Sequence, residues 1–563
     1  MGDFHLLPTM YECQSNKVRV VVTMVSSIIG VAAIILVIIL AHTVANTTIP
    51  FDNDEANHAL DGWEVYHATV NLAPSDMFLA VRNQSFYPPM HSFFVAAAYL
   101  LAGPSVASSR MPTVINFTLT LLGLVWLTFR IARREDKNPG RPDPWVPAAG
   151  AAFAVALAIS SHDLVVNAVL CMLEMTGAML AILLMLIADR VDELRHGPAR
   201  WVGVVAAALT AMVIFLTKYS FGLFYGPGLI AALLTATWPW KSGRRAWLEM
   251  ATVTGIHATV LTMWLLITHR QTMAMFFTDH PSLVPFWSAE NLLYLPKLWL
   301  SGYSINAVTG LVAIFLSLVG TVHQWKRLPV RVAAWSILTA TIMLTISTTN
   351  IRRHILVVTP AIWMLAGLGL VKVLRWLQSL PRDGMKVAYL LGFLISFLII
   401  SAIRPASRLQ AELVKEFEGL PVYAEMQEFA LQQVDLDQPI LLIGELTDQN
   451  GLLAIRWRAA VLSGKSLGHL DIDYFPFGDF DNALRRTNRK PQIASFDPTF
   501  SWKSLSANLD RDYYAYVIEI RHLDDQSGIP PGHPHDTLYG YPSVYKQFHP
   551  WSVLVYDLTG HEP

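Results

Sequence analysis

The chain has 563 residues, 53% of them hydrophobic and 15% charged, and a net charge of −1. Soluble domains carry about 25% charged residues, so the composition excludes a protein that is soluble throughout, and the near-neutral balance gives no indication of a nucleic-acid partner. The charge deficit is uneven: residues 1–403 hold long apolar runs, whereas residues 404–563 read as an ordinary soluble sequence. Cys13 and Cys171 both lie in the apolar part and imply no disulfide framework.

A helix needs roughly 20 apolar residues to cross the hydrocarbon core. The first apolar run, Val18 to Ala41, exceeds the roughly 7–15 residues of a signal-peptide core, and no cleavage-like site follows it directly. It reads as an anchor that stays. The predicted spans are 18–41, 112–131, 145–160, 164–189, 200–217, 221–238, 246–268, 299–321, 331–348, 353–375 and 386–403, eleven in all. Basic residues support an alternating arrangement. Lys17 and Arg19, Arg130 to Arg141, Arg190 to Arg200, Lys241 to Arg245, Lys326 to Arg331, and Lys372 to Lys386 all fall on one side, the cytoplasmic one by the positive-inside rule. Met90 to Ala102 is apolar over only about 13 residues, short for a crossing. Counting it as a span would put every later basic loop outside. It is expected to be a short helix in, or dipping into, the outer interface. The N-terminus is then cytoplasmic and the C-terminal domain extracytoplasmic.

Two long stretches, 42–111 and 269–298, fall on the outer side. The first opens with Asp52, Asn53, Asp54, Glu55, Ala56, Asn57 and His58, three carboxylates within four residues. One reading is a helix N-terminus with Asp54 as cap, favoured by the macrodipole. The other is chemistry, because a carboxylate at a helix start is rigidly placed. The cations that break the orientation rule are Lys218, next to Tyr219, and Arg352 and Arg353, next to His354. They meet either bulk lipid headgroups or a dedicated phosphate, for which Arg offers a planar fork and Lys a point charge. Glu174 lies within the fourth predicted span, and an intramembrane carboxylate is a functional candidate by default. His162 and Asp163, at the start of that span, could cap it. Carboxylates on one loop and cations on two others suit a base that activates an acceptor while a phosphate leaves.

In order along the chain, Asp54-Glu55, Tyr87-Pro88-Pro89-Met90, Arg110-Met111-Pro112, Glu174, Lys218-Tyr219 and Arg353-His354 with Pro360 resemble the motifs of one family. These are the GT-C glycosyltransferases of the protein O-mannosyltransferase and lipid A aminoarabinose-transferase type. The resemblance runs over about residues 18–375. It implies a GT-C-like transmembrane catalytic domain at 1–403, including the outer loop 42–111, and inverting transfer from a polyprenyl-phosphate sugar at the outer face. Asp54 would be the base, with Glu55 and Glu174 as further catalytic acids. Lys218, Tyr219, Arg352, Arg353 and Tyr87 would surround the donor phosphate, and His58, His91 and Asp163 would touch acceptor or sugar. Tyr87 stands where aminoarabinose transferases have Lys, and Glu174 replaces an Asp. No metal motif is clear; Asp52, Asp54, Glu55, His58 and His91 are the candidates for a divalent ion, without a strong spacing signature. A lipid, glycan or protein acceptor fits the resemblance, as does a bacterial inner or plasma membrane and a role in the cell envelope.

Residues 404–563 are expected to form a soluble extracytoplasmic α/β domain. Residues 407–433 read as one or two amphipathic helices, and Ile440 to Gly444, Tyr513 to Ile520 and Trp551 to Tyr556 as buried strands. The aromatic stretch Tyr539 to Trp551 either binds sugar or caps the membrane part. Rival readings are a flippase or ligase acting on the same carrier lipids and a transporter. A transporter would place charges mid-membrane and repeat broken helices, and neither pattern is visible in the sequence.

Overall fold

The computed structural model describes residues 7–47, 50–51, 53–84, 87–134, 145–194, 197–235, 244–277, 307–346, 352–378, 420–444, 452–476, 514–522, 538, 541–548 and 551–559. The protein divides into two compact units. The first comprises Met1–Ala45, Val81–His91 and Arg110–Leu413; the second comprises Asn46–Ala80, Ser92–Ser109 and Val414–Pro563. Most of the outer loop, which the sequence reading groups with the membrane domain, thus packs with the C-terminal region.

Helices stand at ten of the eleven predicted spans: α1 (Leu7–Ala45), α5 (Val106–Arg133), α6 (Trp145–Ser160), α7 with α8 (His162–Asn167 and Leu173–Glu193), α9 (Pro198–Phe215), α10 (Tyr219–Thr235), α11 (Arg244–Phe277), α12 (Ala307–Gln324), α13 (Leu328–Ile346) and α14 (Thr359–Gln378). The span predicted at 386–403 lies outside the described residues. Five stretches are long and apolar enough to cross a membrane by themselves: Val22–Ala45, Val106–Arg133, Pro198–Phe215, Arg245–Thr268 and Leu328–Thr345. The exposed Ile28, Ile34, Ile35 and Ile38 of the first of these suit lipid contact.

Two predicted spans are not continuous. The fourth, 164–189, breaks between α7 and α8, where Met172 is extended. No Gly or Pro marks that break. Tertiary packing makes it: Cys171 and Met172 turn inward and are buried. Glu174 therefore sits in the first turn of α8, the end of the helix whose dipole favours a carboxylate. The tenth, 353–375, opens as a 3-10 turn over Arg352–Val357 before α14 begins, with Pro360 as its second residue. Proline suits that place because its missing N–H would be unpaired there anyway.

Helix packing in the first unit is close where glycines meet backbone. A Cβ on Gly369 of α14 would overlap the Leu316 carbonyl of α12, and one on Gly320 would overlap the Leu365 carbonyl. Small residues let membrane helices approach in this way. Elsewhere in this unit, at the ends of α5, α8, α9 and α11, Arg130 and Arg134 pair with Asp189 and Glu193, and Arg200 and Arg245 with Glu249.

The second unit contains α2 (Asn53–Val70), α3 (Pro74–Asn83, whose last residues belong to the first unit), most of α4 (Met90–Ala102), α15 (Leu420–Gln432) and α16 (Leu452–Ser463). Its five strands are β1 (Ile440–Gly444), β2 (Ile472–Pro476), β3 (Tyr516–His522), β4 (Ser543–Phe548) and β5 (Trp551–Asp557), in the order β2-β1-β3-β5-β4. The first three are parallel, while β5 runs antiparallel to β3 and β4. β1, α16 and β2 form a βαβ crossover. Parallel strands are covered on both faces, and Ile440, Leu441, Leu442 and Ile443 are all buried. Of the predicted 407–433 helices, 420–432 is helical and the earlier part lies outside the described residues.

Candidate functional site

In the first unit, Lys218 and Arg353 meet at Glu174, with Tyr87 beside Lys218. The Glu174 side chain is 1% exposed. Lys218 Nζ donates to Glu174 Oε1 at 3.2 Å, and Arg353 Nε lies 3.8 Å from the same oxygen, an ion pair too long for a hydrogen bond. Glu174 Oε2 is buried and accepts no hydrogen bond from the described residues. Lys218 occupies the turn between α9 and α10, because the α9 ladder ends at Phe215 and α10 begins only at Tyr219. Its ammonium stands 5.3 Å from the Phe221 ring centre and 5.9 Å from that of Tyr87, in cation–π range. The Tyr87 segment is fastened nearby by Met90 N–H donating to the Leu216 carbonyl at 3.0 Å. Arg353 also approaches Met172 Sδ at 3.8 Å.

His91, fully buried, adjoins this cluster. Asn116 Nδ2 donates to Thr176 Oγ1 at 2.9 Å, and Thr176 stands 2.8 Å from His91 Nδ1. The hydroxyl accepts from the Asn116 amide and shares a hydrogen bond with His91 Nδ1, while Nε2 faces Cys171 Sγ at 3.8 Å. Burial pushes the His91 pKa down to about 4, against the opposing pull of Glu174. The ring is therefore neutral near pH 7.

In the second unit, α2 starts at Asn53, which puts Asp54 inside the first turn rather than at the cap. Asp54 is half-buried, whereas Glu55 and His58 are buried. The helix is anchored by Trp63 Nε1 donating to the Lys465 carbonyl at 2.9 Å and by Glu64 accepting from Leu467 N–H at 2.7 Å. Tyr99 bridges α2 and α16: its hydroxyl reaches the Ala59 carbonyl at 3.2 Å and receives Trp457 Nε1 at 3.1 Å. Burial, reinforced by Glu64, raises the Asp61 carboxyl well above its usual range.

Of the predicted phosphate contacts, Lys218, Arg353 and Tyr87 come together with Glu174. The Tyr219 hydroxyl instead accepts from Trp264 Nε1 at 3.0 Å, and its ring packs with Met212 and Phe215. Asp163 lies in the first turn of α7, where its carbonyl receives Asn167 Nδ2. Arg352 falls in the 3-10 turn, and Asp52 lies outside the described residues. Among the described residues, no group of three or more His, Cys, Asp or Glu is placed to hold a metal ion. Sequence reasoning missed Thr176, Asn116 and Cys171. Each is a small polar residue inside an apolar run, which is the one signal that could have singled them out.

No protein-family model matches the chain, and no curated protein matches it. Solved structures do. The crystal structure of ArnT from Cupriavidus metallidurans bound to undecaprenyl phosphate is 15% identical, with 95% of this chain and 99% of that one covered and a TM-score of 0.57. Its apo form gives 14% identity, 94% and 99% coverage and 0.56. The archaeal oligosaccharyltransferase AglB from Archaeoglobus fulgidus, in complex with an inhibitory peptide and a dolichol-phosphate, gives 12% identity, 93% and 73% coverage and 0.50. With nearly the whole of both ArnT and this chain superposed, the protein has the GT-C glycosyltransferase fold, a helical membrane part joined to a small α/β domain.

Proposed function

We propose that the protein is an integral membrane glycosyltransferase that takes a sugar from a polyprenyl-phosphate donor and passes it to an acceptor at the outer face, with inversion. The observation that carries this reading is the meeting of Lys218 and Arg353, from two distant segments, at helix ends in the first unit. Two cations gathered at one place on a membrane fold suit an anion with several charged oxygens. A lipid phosphate supplies it, and ArnT, of the same fold, is seen with undecaprenyl phosphate.

The reaction follows from charge. The acceptor oxygen or nitrogen attacks the anomeric carbon, and the bond from that carbon to the phosphate oxygen breaks. Its electron pair stays on the phosphate, where Lys218 and Arg353 stabilise the growing charge. The acceptor proton goes to Asp54. Of the acidic pair, Asp54 is the half-buried one and Glu55 the fully buried one, so Asp54 is the carboxylate an acceptor can meet. Tyr87 and His91 frame the cation cluster, Arg352 is a further candidate for the phosphate, and His58 and Asp163 are the acceptor-side candidates. The N-terminus is cytoplasmic and the C-terminal domain outside, in a bacterial plasma membrane, with a lipid, glycan or protein of the cell envelope as acceptor. Asp54→Asn tests the base: transfer is expected to fall by about 10²–10⁴-fold with the fold intact. Near-normal turnover of this variant would remove Asp54 from the mechanism.

A further inference from the structure

The corner between α2 and α3 holds a leucine where the backbone favours glycine. Helix α2 ends at Val70, and two hydrogen bonds close it. Ala73 N–H donates to the Ala68 carbonyl at 3.0 Å, and Leu72 N–H to the Thr69 carbonyl at 3.2 Å. That pair of bonds is a Schellman motif, in which the first residue beyond the cap is left-handed and usually Gly, sometimes Asn. Here it is Leu72, at φ 50°, the only non-glycine with positive φ among the described residues. Its side chain is also 85% exposed. The residue thus carries both backbone strain and exposed apolar surface, two costs that Gly would avoid. At that exposure, packing within the chain offsets little of either. Val70, Phe78 and Leu79 are exposed as well, and Asp76 is the only charged residue from Val70 to Val81. We propose that this corner is a membrane anchor, with Leu72 inserted among the acyl chains of the outer leaflet and Val70, Phe78 and Leu79 adding to the contact.

The attachments of this segment select lipid as the occupant. Near the far end of α3, Val81 packs against Met212, Phe215, Tyr219 and Trp264. Phe215 is the last residue of the span Pro198–Phe215, and Trp264 lies in the span Arg245–Thr268. At 1.5 Å per residue, α3 reaches back only about 10 Å from Val81 to Pro74. The corner therefore stays close to the end of a span. Helix α4 packs with α2 and α3 in a small core of Val65, Ala80 and Ala96, and the chain passes from it directly into α5, another span. The segment is thus tied to membrane helices at both ends. Apolar side chains of interfacial segments enter the bilayer by about 5–10 Å, a depth that one leucine at a turn can reach. A patch with a single charge matches acyl chains, and Leu72 regains in hydrocarbon the apolar burial that the fold does not give it. Lipid contact at Leu72 needs the membrane fold and not the proposed chemistry; only the side of the leaflet rests on the orientation proposed above.

The test uses the full-length protein in phosphatidylcholine nanodiscs. Cys13→Ser removes one native thiol, Cys171 is buried, and any signal from the Cys13→Ser protein alone is subtracted. A nitroxide is attached at Leu72→Cys. Power saturation then reads its collisions with oxygen, which concentrates in hydrocarbon, and with a water-soluble nickel chelate. Ile35→Cys on α1 and Gln432→Cys on α15, both at exposed positions, give the lipid and water references. The label at Leu72 should lose nickel contact and gain oxygen contact relative to Gln432→Cys, matching Ile35→Cys. Nickel contact equal to that of Gln432→Cys would mean that water covers the corner, and would overturn the anchor. Loss of both contacts would mean that protein, such as a second copy of the chain, covers it, and would overturn the anchor equally. Leu72→Gly asks whether this side chain does the holding. Glycine takes the left-handed conformation freely, so the turn survives. With the nitroxide moved to Leu79→Cys, adding Leu72→Gly should shift that label towards nickel contact. An unchanged label at Leu79 would show that Leu72 anchors nothing.

Discussion

Lys218→Met removes an ammonium and keeps most of the aliphatic stem. The side chain it leaves facing a cationless gap is Glu174, 1% exposed and held by Lys218 at 3.2 Å and by Arg353 at 3.8 Å. Breaking a buried ion pair by deleting one partner costs about 3–5 kcal/mol. Arg353 remains and offsets part of this, while the lost contacts over Phe221 and Tyr87 add about 0.5–1 kcal/mol. The expected net cost is about 2–3 kcal/mol, measured by unfolding of the detergent-solubilised protein. Adding Glu174→Gln removes the stranded carboxylate, so the double variant should lie within about 1 kcal/mol of wild type. The coupling between the two sites is then about 2 kcal/mol. A coupling near zero would mean that the two side chains do not share a buried ion pair, and the electrostatic picture of the site would fall.

Arg353→Ala should weaken polyprenyl-phosphate binding by about tenfold to a hundredfold, the worth of one hydrogen bond to a charged group; an unchanged affinity in a fluorescence titration would count against it. Gly369→Ala should lower stability by about 1–3 kcal/mol through overpacking against the Leu316 carbonyl, and an unchanged melting temperature would show that α12 and α14 do not approach so closely. His91 has a folded pKa of about 4, below its unfolded value near 6.5, so its contribution to stability is present above about pH 6.5 and is lost as pH falls towards 4. At pH 4 the loss should reach about 3 kcal/mol, and His91→Gln should flatten the profile between those limits. A cysteine placed at the exposed Leu101 or Ser105 should react with an impermeant reagent from outside the cell; reaction only after permeabilisation would invert the topology.

The helices of the membrane part were legible because apolar runs of span length are a coarse, additive signal. Strands β1, β3 and β5 of the C-terminal domain were legible for the same reason, as the unbroken run Ile440 to Ile443 shows, whereas β2 and β4 were not read as strands. What the sequence concealed was set by tertiary contact. The break before α8 carries no Gly or Pro and depends on Cys171 and Met172 turning inward. Helices α2 and α3 of the outer loop lack long apolar runs, and α2 is held by partners such as Lys465 and Leu467, some 400 residues away. At the site, Lys218 and Arg353 stood out as cations on the wrong side, and Glu174 as a charge in an apolar run. Their pairing could not be read from position, because three residues on separate segments share no spacing. Tyr219 shows the opposite case: beside Lys218 in sequence, it turns into the core against Trp264.

The central claim is that a polyprenyl-phosphate sugar is the donor. Purified protein in lipid nanodiscs, incubated with a panel of polyprenyl-phosphate sugars labelled in the sugar and with an extract of cell-envelope acceptors, tests it directly. The account expects one member of the panel to release polyprenyl monophosphate and transfer its label with inverted anomeric configuration, in wild type and not in Asp54→Asn. Transfer from nucleotide sugars in place of every polyprenyl-phosphate sugar, or retention of configuration, would contradict it.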